Sequence, residues 1–286
     1  MKNREVIEKI KAYHPPFPAD YDGCDDYKIG NPEEECTGVG TAIVATPEII
    51  RKAAEEGINL LVVHEPTFYA TEDYPDWRGG YTNEVYEEKV RLLEETGITI
   101  WRDHDHMHAH KPDSIFTGVI KYLGWEKYQV PNVLDAGLCY TFDFDDMTVE
   151  KMCDELKKKM NLNGLRYMGN PKDKIRKVAF VAHLFPDVIN TSYLNEDGIC
   201  TEYAMSVIHM MESGVDAIIP GEVIDWTVLS YIRDALQQKK IKAMFNVGHF
   251  NWEELGMKYA AEWIGELVGD EVLVRFIEAG DMYRYY

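Results

Sequence analysis

Short apolar runs alternate with longer amphipathic stretches along this chain, and that alternation predicts its elements. The opening segment, MKNREVIEKIKAYHPPFP, reads as an amphipathic helix stopped by Pro15 and Pro16. GTAIVA (40–45) is a continuous apolar run and predicts a buried strand. TPEIIRKAAEEG follows, with Thr46 as N-cap, Pro47 at the first helical position and Gly57 just past the end. A strand over 58–64 (INLLVVH), a helix over 83–96, a strand over 97–103 (GITIWRD) and a helix over 113–123 continue the series. This β-α-β-α-β order predicts an α/β sheet with mainly parallel strands.

A second series begins with LCYTFDF (138–144) as a strand and TVEKMCDELKKKM (148–160) as a helix. Strands over 177–183, 216–221, 241–248 and 271–278 alternate with helices over 201–213, 225–239 and 251–268. The last helix puts Leu255, Tyr259, Trp263 and Leu267 on one face. Turn-rich text around 128–137 and 184–200 predicts loops. The fold class is therefore α/β, with two α/β lobes: residues 1–127, completed by 240–286, and residues 128–239.

Composition narrows the function. Of 286 residues, 45% are apolar and 28% charged, an ordinary globular balance. The formal net charge of −20 repels phosphate backbones and anionic lipid, so neither nucleic acid nor a membrane is expected as partner. No apolar run reaches the ~20 residues of a spanning helix, and the first residues lack the apolar core of a signal peptide. Cys24, Cys36, Cys139, Cys153 and Cys200 are scattered with no CxxC pair, as in the reduced thiols of a cytoplasmic protein.

The candidate chemistry is concentrated in histidines. WRDHDHMHAHK (101–111) places His104, His106, His108 and His110 at every second position. If the segment is extended, all four share a face. If it turns, His104 and His108 converge and the other two diverge, which is favoured because Pro112 and Asp113 announce a new helix. Two further clusters also follow predicted strands: His64 with Glu65 in VVHEP, and His249 with Glu253 in NVGHFNWEE. The spacing of four lets His249 and Glu253 aim at one point, and ligands of open α/β sheets bind at the carboxyl ends of strands. A single strand-end histidine is usually just hydrogen-bonded; three such clusters favour metal. HEPTF is not a zincin motif, because position 68 is Phe. His183 is a fourth strand-end histidine, whereas His14 and His209 read as structural or surface residues. No P-loop, GxSxG or Rossmann fingerprint occurs, and no Ser or Cys nucleophile signature.

On these residues the chain resembles the NGG-one-interacting factor three family of dinuclear metal-centre proteins, often labelled GTP cyclohydrolase I type 2. VATPEIIRKAAEEGINLLVVHEPTFY, HDHMHAHKPDSIFTGVIKYLGW, VDAIIPGEVIDW and NVGHFNWEELGMKYAAEWI are similar to its DATPEVVEEAIEKGADLIVTHHPLIF, HxxxD, ADAYITGEIKHH and DAGHFATERPGVKALAEWL segments. The resemblance implies a metal site between the lobes at strand carboxyl ends, two divalent ions (Zn, Fe, Mn or Ni) and a homo-oligomer, the family's form being a hexamer. It places the ligands on His64, Glu65, His108, His249 and Glu253, with His104 beside them. Two positions depart from the pattern: Glu65 stands where the family has His, and His108 where it has Asp. The set still counts three histidines and two carboxylates.

The expected function is metal-dependent hydrolysis of a small molecule by activated water. Glu222, in PGEV, reads equally as a proton shuttle or ligand-orienting residue and as a cap or salt-bridge partner; His104, His106 and His183 are supporting or substrate-facing candidates. The alternative is a non-catalytic metal-binding or interaction scaffold. A triphosphate substrate fits poorly with an acidic chain that has no phosphate-cradling loop and only Arg102 and Lys111 near its motifs.

Overall fold

The computed structural model describes residues 1–71, 73, 83–133, 138–184, 193–194 and 200–286. In chain order the elements are α1 (Asn3–Tyr13), β1 (Tyr27–Ile29), β2 (Gly38–Ala42), α2 (Pro47–Glu55), β3 (Leu60–Val63), α3 (Glu84–Thr96), β4 (Thr99–Arg102), α4 (Asp105–Ala109) and α5 (Ser114–Leu123). They continue with β5 (Gln129–Val130), β6 (Cys139–Thr148), α6 (Val149–Lys159), β7 (Arg166–Met168), β8 (Lys174–Val181), β9 (Tyr193–Leu194), β10 (Cys200–Thr201) and α7 (Tyr203–Glu212). The last five are β11 (Ala217–Pro220), α8 (Val228–Gln237), β12 (Ala243–Asn246), α9 (His249–Val268) and β13 (Leu273–Phe276). Two compact units result: residues 1–120 with 253–279, and residues 121–252 with 280–286. Most of the loop expected over 184–200, and residues 134–137 of the loop over 128–137, lie outside the described residues. No helix among the described residues is long and apolar enough to cross a membrane.

The first unit holds a five-stranded sheet in the order β1-β4-β3-β2-β13. β13, β2, β3 and β4 run parallel, and only β1 is antiparallel. Every residue of β2, β3 and β4 is buried, as in parallel strands covered on both faces. Thr46 caps α2 by accepting from Ile49 N at 3.2 Å, Pro47 starts the helix, and Gly57 leaves it at φ +74°.

The second unit holds a six-stranded sheet in the order β5-β6-β8-β11-β12-β7. It is parallel only across β8, β11 and β12; β5, β6 and β7 pair antiparallel. Its core gathers Val181, Val207, Met210, Ile218, Ile232 and Met244 among others. In both units the strands that share a direction end close to the candidate residues: β3 before His64, β4 two residues before His104, β8 shortly before His183 and β11 shortly before Glu222.

Within the first unit, α5 and the part of α9 beyond Trp252 pack through glycines. A Cβ on Gly118 would lie 2.5 Å from Tyr259 Cβ and 2.9 Å from Gly256 Cα, and one on Gly256 would lie 2.7 Å from Ile115 Cα. Two helix backbones meet here, so neither atom can yield cheaply. Gly256 is three residues beyond Glu253 on the same helix. Gly256→Ala is expected to destabilise the chain by about 1–3 kcal/mol by overpacking, read as a lower denaturant midpoint at unchanged m-value.

The loop after Glu65 is tied down by charge. Asp73 accepts from Thr67 N at 2.6 Å and Phe68 N at 2.5 Å, and the buried Lys89 ammonium donates to Thr67 O at 2.5 Å. Burial pushes Lys89 down to about 8, against the pull of Asp73. Because the folded value lies below the ordinary 10.5, protonated Lys89 costs stability below pH 8, and that cost is relieved as pH climbs from 8 to 10.5. Urea titrations across this window are expected to show a shallower rise of stability with pH for Lys89→Met than for the wild type.

Candidate metal centre

His64 is fully buried directly after β3. The backbone N–H groups of His64 and Glu65 donate to Ile43 O at 3.3 and 2.8 Å, which fixes the chain beyond the strand. Arg102 Nε donates to His64 O at 3.0 Å, so this buried arginine serves the backbone. The His64 ring is set by Nδ1, 3.1 Å from Asp103 O. A carbonyl oxygen only accepts; Nδ1 therefore carries the proton and Nε2 the lone pair. That lone pair makes no hydrogen bond among the described residues and lies 3.4 Å from Glu253 Oε2.

The histidine-rich segment turns because of one buried carboxylate. Asp25 Oδ1 accepts from His104 N at 2.7 Å and Asp105 N at 3.0 Å, and Oδ2 accepts from His106 N at 2.8 Å. These are the donors that a helix N-terminus leaves open. The result is the single turn α4. Burial works to raise the Asp25 pKa, but the bonds from His106, His104 and Asp105 outweigh it and hold the carboxyl below its ordinary value. His104 and His108 thus share a face with rings 4.8 Å apart, and they stand 4.5 and 4.9 Å from the His64 ring. His106 turns away and bonds Asp25 through Nδ1 at 2.6 Å, while His110 stacks on Tyr13 at 4.6 Å.

Both converging rings are held by carboxylates. His104 Nδ1 lies 2.8 Å from Asp105 Oδ1, whose other oxygen accepts from Tyr21 OH at 2.7 Å. His108 Nδ1 lies 2.8 Å from Asp113 Oδ2, while Asp113 Oδ1 caps α5 through Phe116 N at 3.0 Å. His108 Nε2 then faces Glu253 Oε1 at 3.6 Å. Burial disfavours charge on both rings. For His108 the Asp113 bond and the charges of Asp113, Glu253 and Glu65 outweigh burial and push its pKa up to about 9. For His104, burial and the neighbouring His64 prevail over Asp105 and push it down.

One ligand atom from each of His64, His104 and His108 lies within 4.8 Å of the others, and the same holds for His64, Glu65 and Glu253. Both groups could hold a metal ion, and they share His64. The residues fit a divalent cation: Glu65 and Glu253 are buried at 7% and 1% exposure, and buried carboxylates facing imidazole lone pairs are a cation's donor set.

The model of the Duf34/NIF3 (NGG1p interacting factor 3) family matches residues 1–193. The chain belongs to this family. It is 22% identical to a GTP cyclohydrolase 1 type 2 homolog of Clostridium perfringens, over 90% of this chain and 89% of that protein. It is 22% identical to the similarly named protein of Clostridium acetobutylicum, over 79% and 75%. The crystal structure of a Bacillus cereus protein related to NIF3 superposes with a TM-score of 0.71 at 14% identity, over 100% of this chain and 99% of that one. The DUF34/NIF3 departures noted in the sequence, Glu65 and His108, fall in the two groups that His64 joins.

The remaining candidates lie in the second unit. His249 opens α9 after Gly248, which turns the chain at φ +81°. His249 Nδ1 is 3.3 Å from Glu222 Oε1, and its ring is 4.5 Å from that of His183. His183 Nδ1 accepts from Glu222 N at 2.9 Å, so its proton sits on Nε2. That is the reverse of His64, and it marks His183 as a residue that orients the Glu222 backbone. Gly221 makes room for it: a Cβ there would lie 2.4 Å from His183 Nδ1. His14 is buried, with Nε2 3.5 Å from Asp103 Oδ2, whereas His209 is on the surface. Asp25, Asp105 and Asp113 escaped the sequence reading as partners of the histidines. For Asp105 and Asp113 the signal was present, as carboxylates one and five residues after a candidate ligand.

Asp113→Asn keeps an oxygen for the α5 cap but loses the charged partner of His108. It is expected to weaken metal affinity about 10–100-fold with little change in thermal unfolding, measured by competition with a chromophoric chelator alongside circular dichroism.

Proposed function

We propose that this protein is a dinuclear-metal-dependent hydrolase acting on a small molecule. The observation that carries the reading is the common tethering of three imidazoles. His64, His104 and His108 each have Nδ1 on an oxygen acceptor, from Asp103, Asp105 and Asp113 respectively. Metal-bound histidines show this arrangement, because it fixes the tautomer and the ring plane and leaves Nε2 for the ion. The proposed ligands are His64, Glu65, His104, His108, His249 and Glu253. α9 carries His249 four residues before Glu253, a spacing that puts both on one helix face. Glu65 and His108 exchange the chemistry of two family ligands and conserve the charge of the set.

Bound divalent ions supply Lewis acidity and lower the pKa of water toward neutrality. The chain's own groups do the rest. Glu65 and Glu253 offset the ions' charge, Asp105 and Asp113 hold the rings, and Glu222, whose side chain is 45% exposed, takes and returns a proton. His104, with its lowered pKa, remains a neutral ligand and can orient substrate.

Wild-type protein is expected to bind two divalent ions per chain by elemental analysis, Glu65→Gln fewer, and Glu253→Ala almost none. Ions at about 100 times Kd should stabilise the wild type by about 2.7 kcal/mol and leave Glu253→Ala unmoved. A hydrolase substrate panel on metal-loaded protein then separates catalysis from a scaffold role. Glu222→Gln should keep its metal and lose turnover; a panel on which wild type and Glu253→Ala are equally silent would assign the ions to a scaffold. Unchanged metal content in Glu65→Gln would sink the ligand exchange.

A further inference from the structure

A pocket of about 310 Å³ in the second unit is lined by Arg166, Glu222, His249, Tyr283, Arg284 and Tyr285, among others. We propose that it binds a small planar ring bearing an acidic group, and that this is the class of molecule on which the proposed hydrolase acts. The role as substrate rests on the metal-hydrolase reading; the binding itself does not.

The pocket runs against the composition of the chain. Asp and Glu outnumber Lys and Arg by 50 to 30, yet two guanidinium groups line one small space. Neither is committed to a strong partner. Arg166 reaches Asp225 only at 3.9 Å with both side chains exposed, a contact worth little. Arg284 makes no salt bridge among the described residues. Guanidinium forks in this state recognise carboxylate or phosphate oxygens, two bonds at a time.

The tyrosines supply ring faces. Tyr283 and Tyr285 are 56% and 48% exposed although each backs onto a built seat. Gly164 lies under Tyr285, where a Cβ would come within 2.4 Å of the ring, and a Cβ on Gly248 would lie 3.6 Å from the Tyr283 ring. The segment that carries them is pinned by Asn163. Its N donates to Asp281 Oδ2 at 2.9 Å, and its Nδ2 donates to Asp281 O at 3.2 Å and Tyr283 O at 2.8 Å. Tyr283 N donates to Asp281 Oδ1 at 2.9 Å. Exposed aromatic rings set in fixed places offer π faces at low entropic cost. The volume stands at the low end for small-molecule sites and suits one or two rings. Glu222, the proposed proton shuttle, and His249 in the lining would meet the polar edge of such a ligand.

The test uses full-length, metal-loaded protein and ligand-observed NMR with two probes, benzoate and phenyl phosphate. Benzyl alcohol controls for the ring alone and inorganic phosphate for the anion alone. At least one probe is expected to bind at millimolar concentrations and more tightly than both controls; which probe wins identifies carboxylate or phosphate as the acidic group. Arg166→Ala and Arg284→Ala should each weaken binding about ten-fold, Tyr285→Ala less, with Arg166→Lys between wild type and Arg166→Ala. Metal content and circular dichroism of these variants should match the wild type. The inference falls if neither probe binds, if inorganic phosphate binds as tightly as the better probe, or if the arginine variants bind undiminished. Probe binding in a protein that takes up no metal would overturn the hydrolase reading and leave the pocket standing, whereas metal uptake without probe binding would do the reverse.

Discussion

Tying one nitrogen of an imidazole determines what the other can do, and the first unit depends on that constraint. A neutral histidine has one proton and one lone pair; binding Nδ1–H to an oxygen sends the lone pair out through Nε2. Here the tethers differ in kind. His64 is held by a backbone carbonyl, which orients without adding charge. His104 and His108 are held by carboxylates, which also make the ring a stronger base. The raised pKa of His108 and the lowered pKa of His104 show that a tether of this kind does not act alone. His108 also sees Glu253 and Glu65, while His104 is half-buried beside other imidazoles. Two rings on one helical turn thereby acquire opposite electrostatic characters.

Asp113 shows how one tether can serve two elements. Its Oδ2 lies 2.8 Å from His108 Nδ1 and sets a carboxylate against that ring. The same residue starts α5, so a single side chain caps a helix and orients the His108 ring. Glu253, 3.6 Å from His108 Nε2, stands three residues before Gly256, where α9 packs closely on α5. Backbone packing and the carboxylates around His108 thus involve the same pair of helices.

Much of the first unit was legible in the sequence because its signals are local. Continuous apolar runs marked β2, β3 and β4, and Thr46, Pro47 and Gly57 bracketed α2. The convergence of His104 and His108 followed from a spacing of four and an imminent helix start. Other features depend on partners far along the chain and left no local trace. β1 has three half-buried residues with no apolar periodicity, and it exists because β4 offers an edge. The antiparallel pairing of β6 with β8 is set by tertiary register, to which a run of alternating residues is blind. Arg166 and Arg284 stand 118 positions apart in the numbering, and neither neighbours a histidine motif in sequence. The basic residues beside the motifs, Arg102 and Lys111, were visible, but Arg102 turns out to be buried in backbone bonding.

Asp25 carries a consequence for the order of assembly. It lies 79 residues before His104, the first amide it receives. A five-residue turn is too short to persist by itself in water, so the face that His104 and His108 share exists only after a long loop has closed. Contacts of such range form slowly, since chain entropy must be surrendered before they return anything. The shared face of His104 and His108 therefore depends on a contact of long sequence range, and a chain that has not yet made it presents dispersed imidazoles.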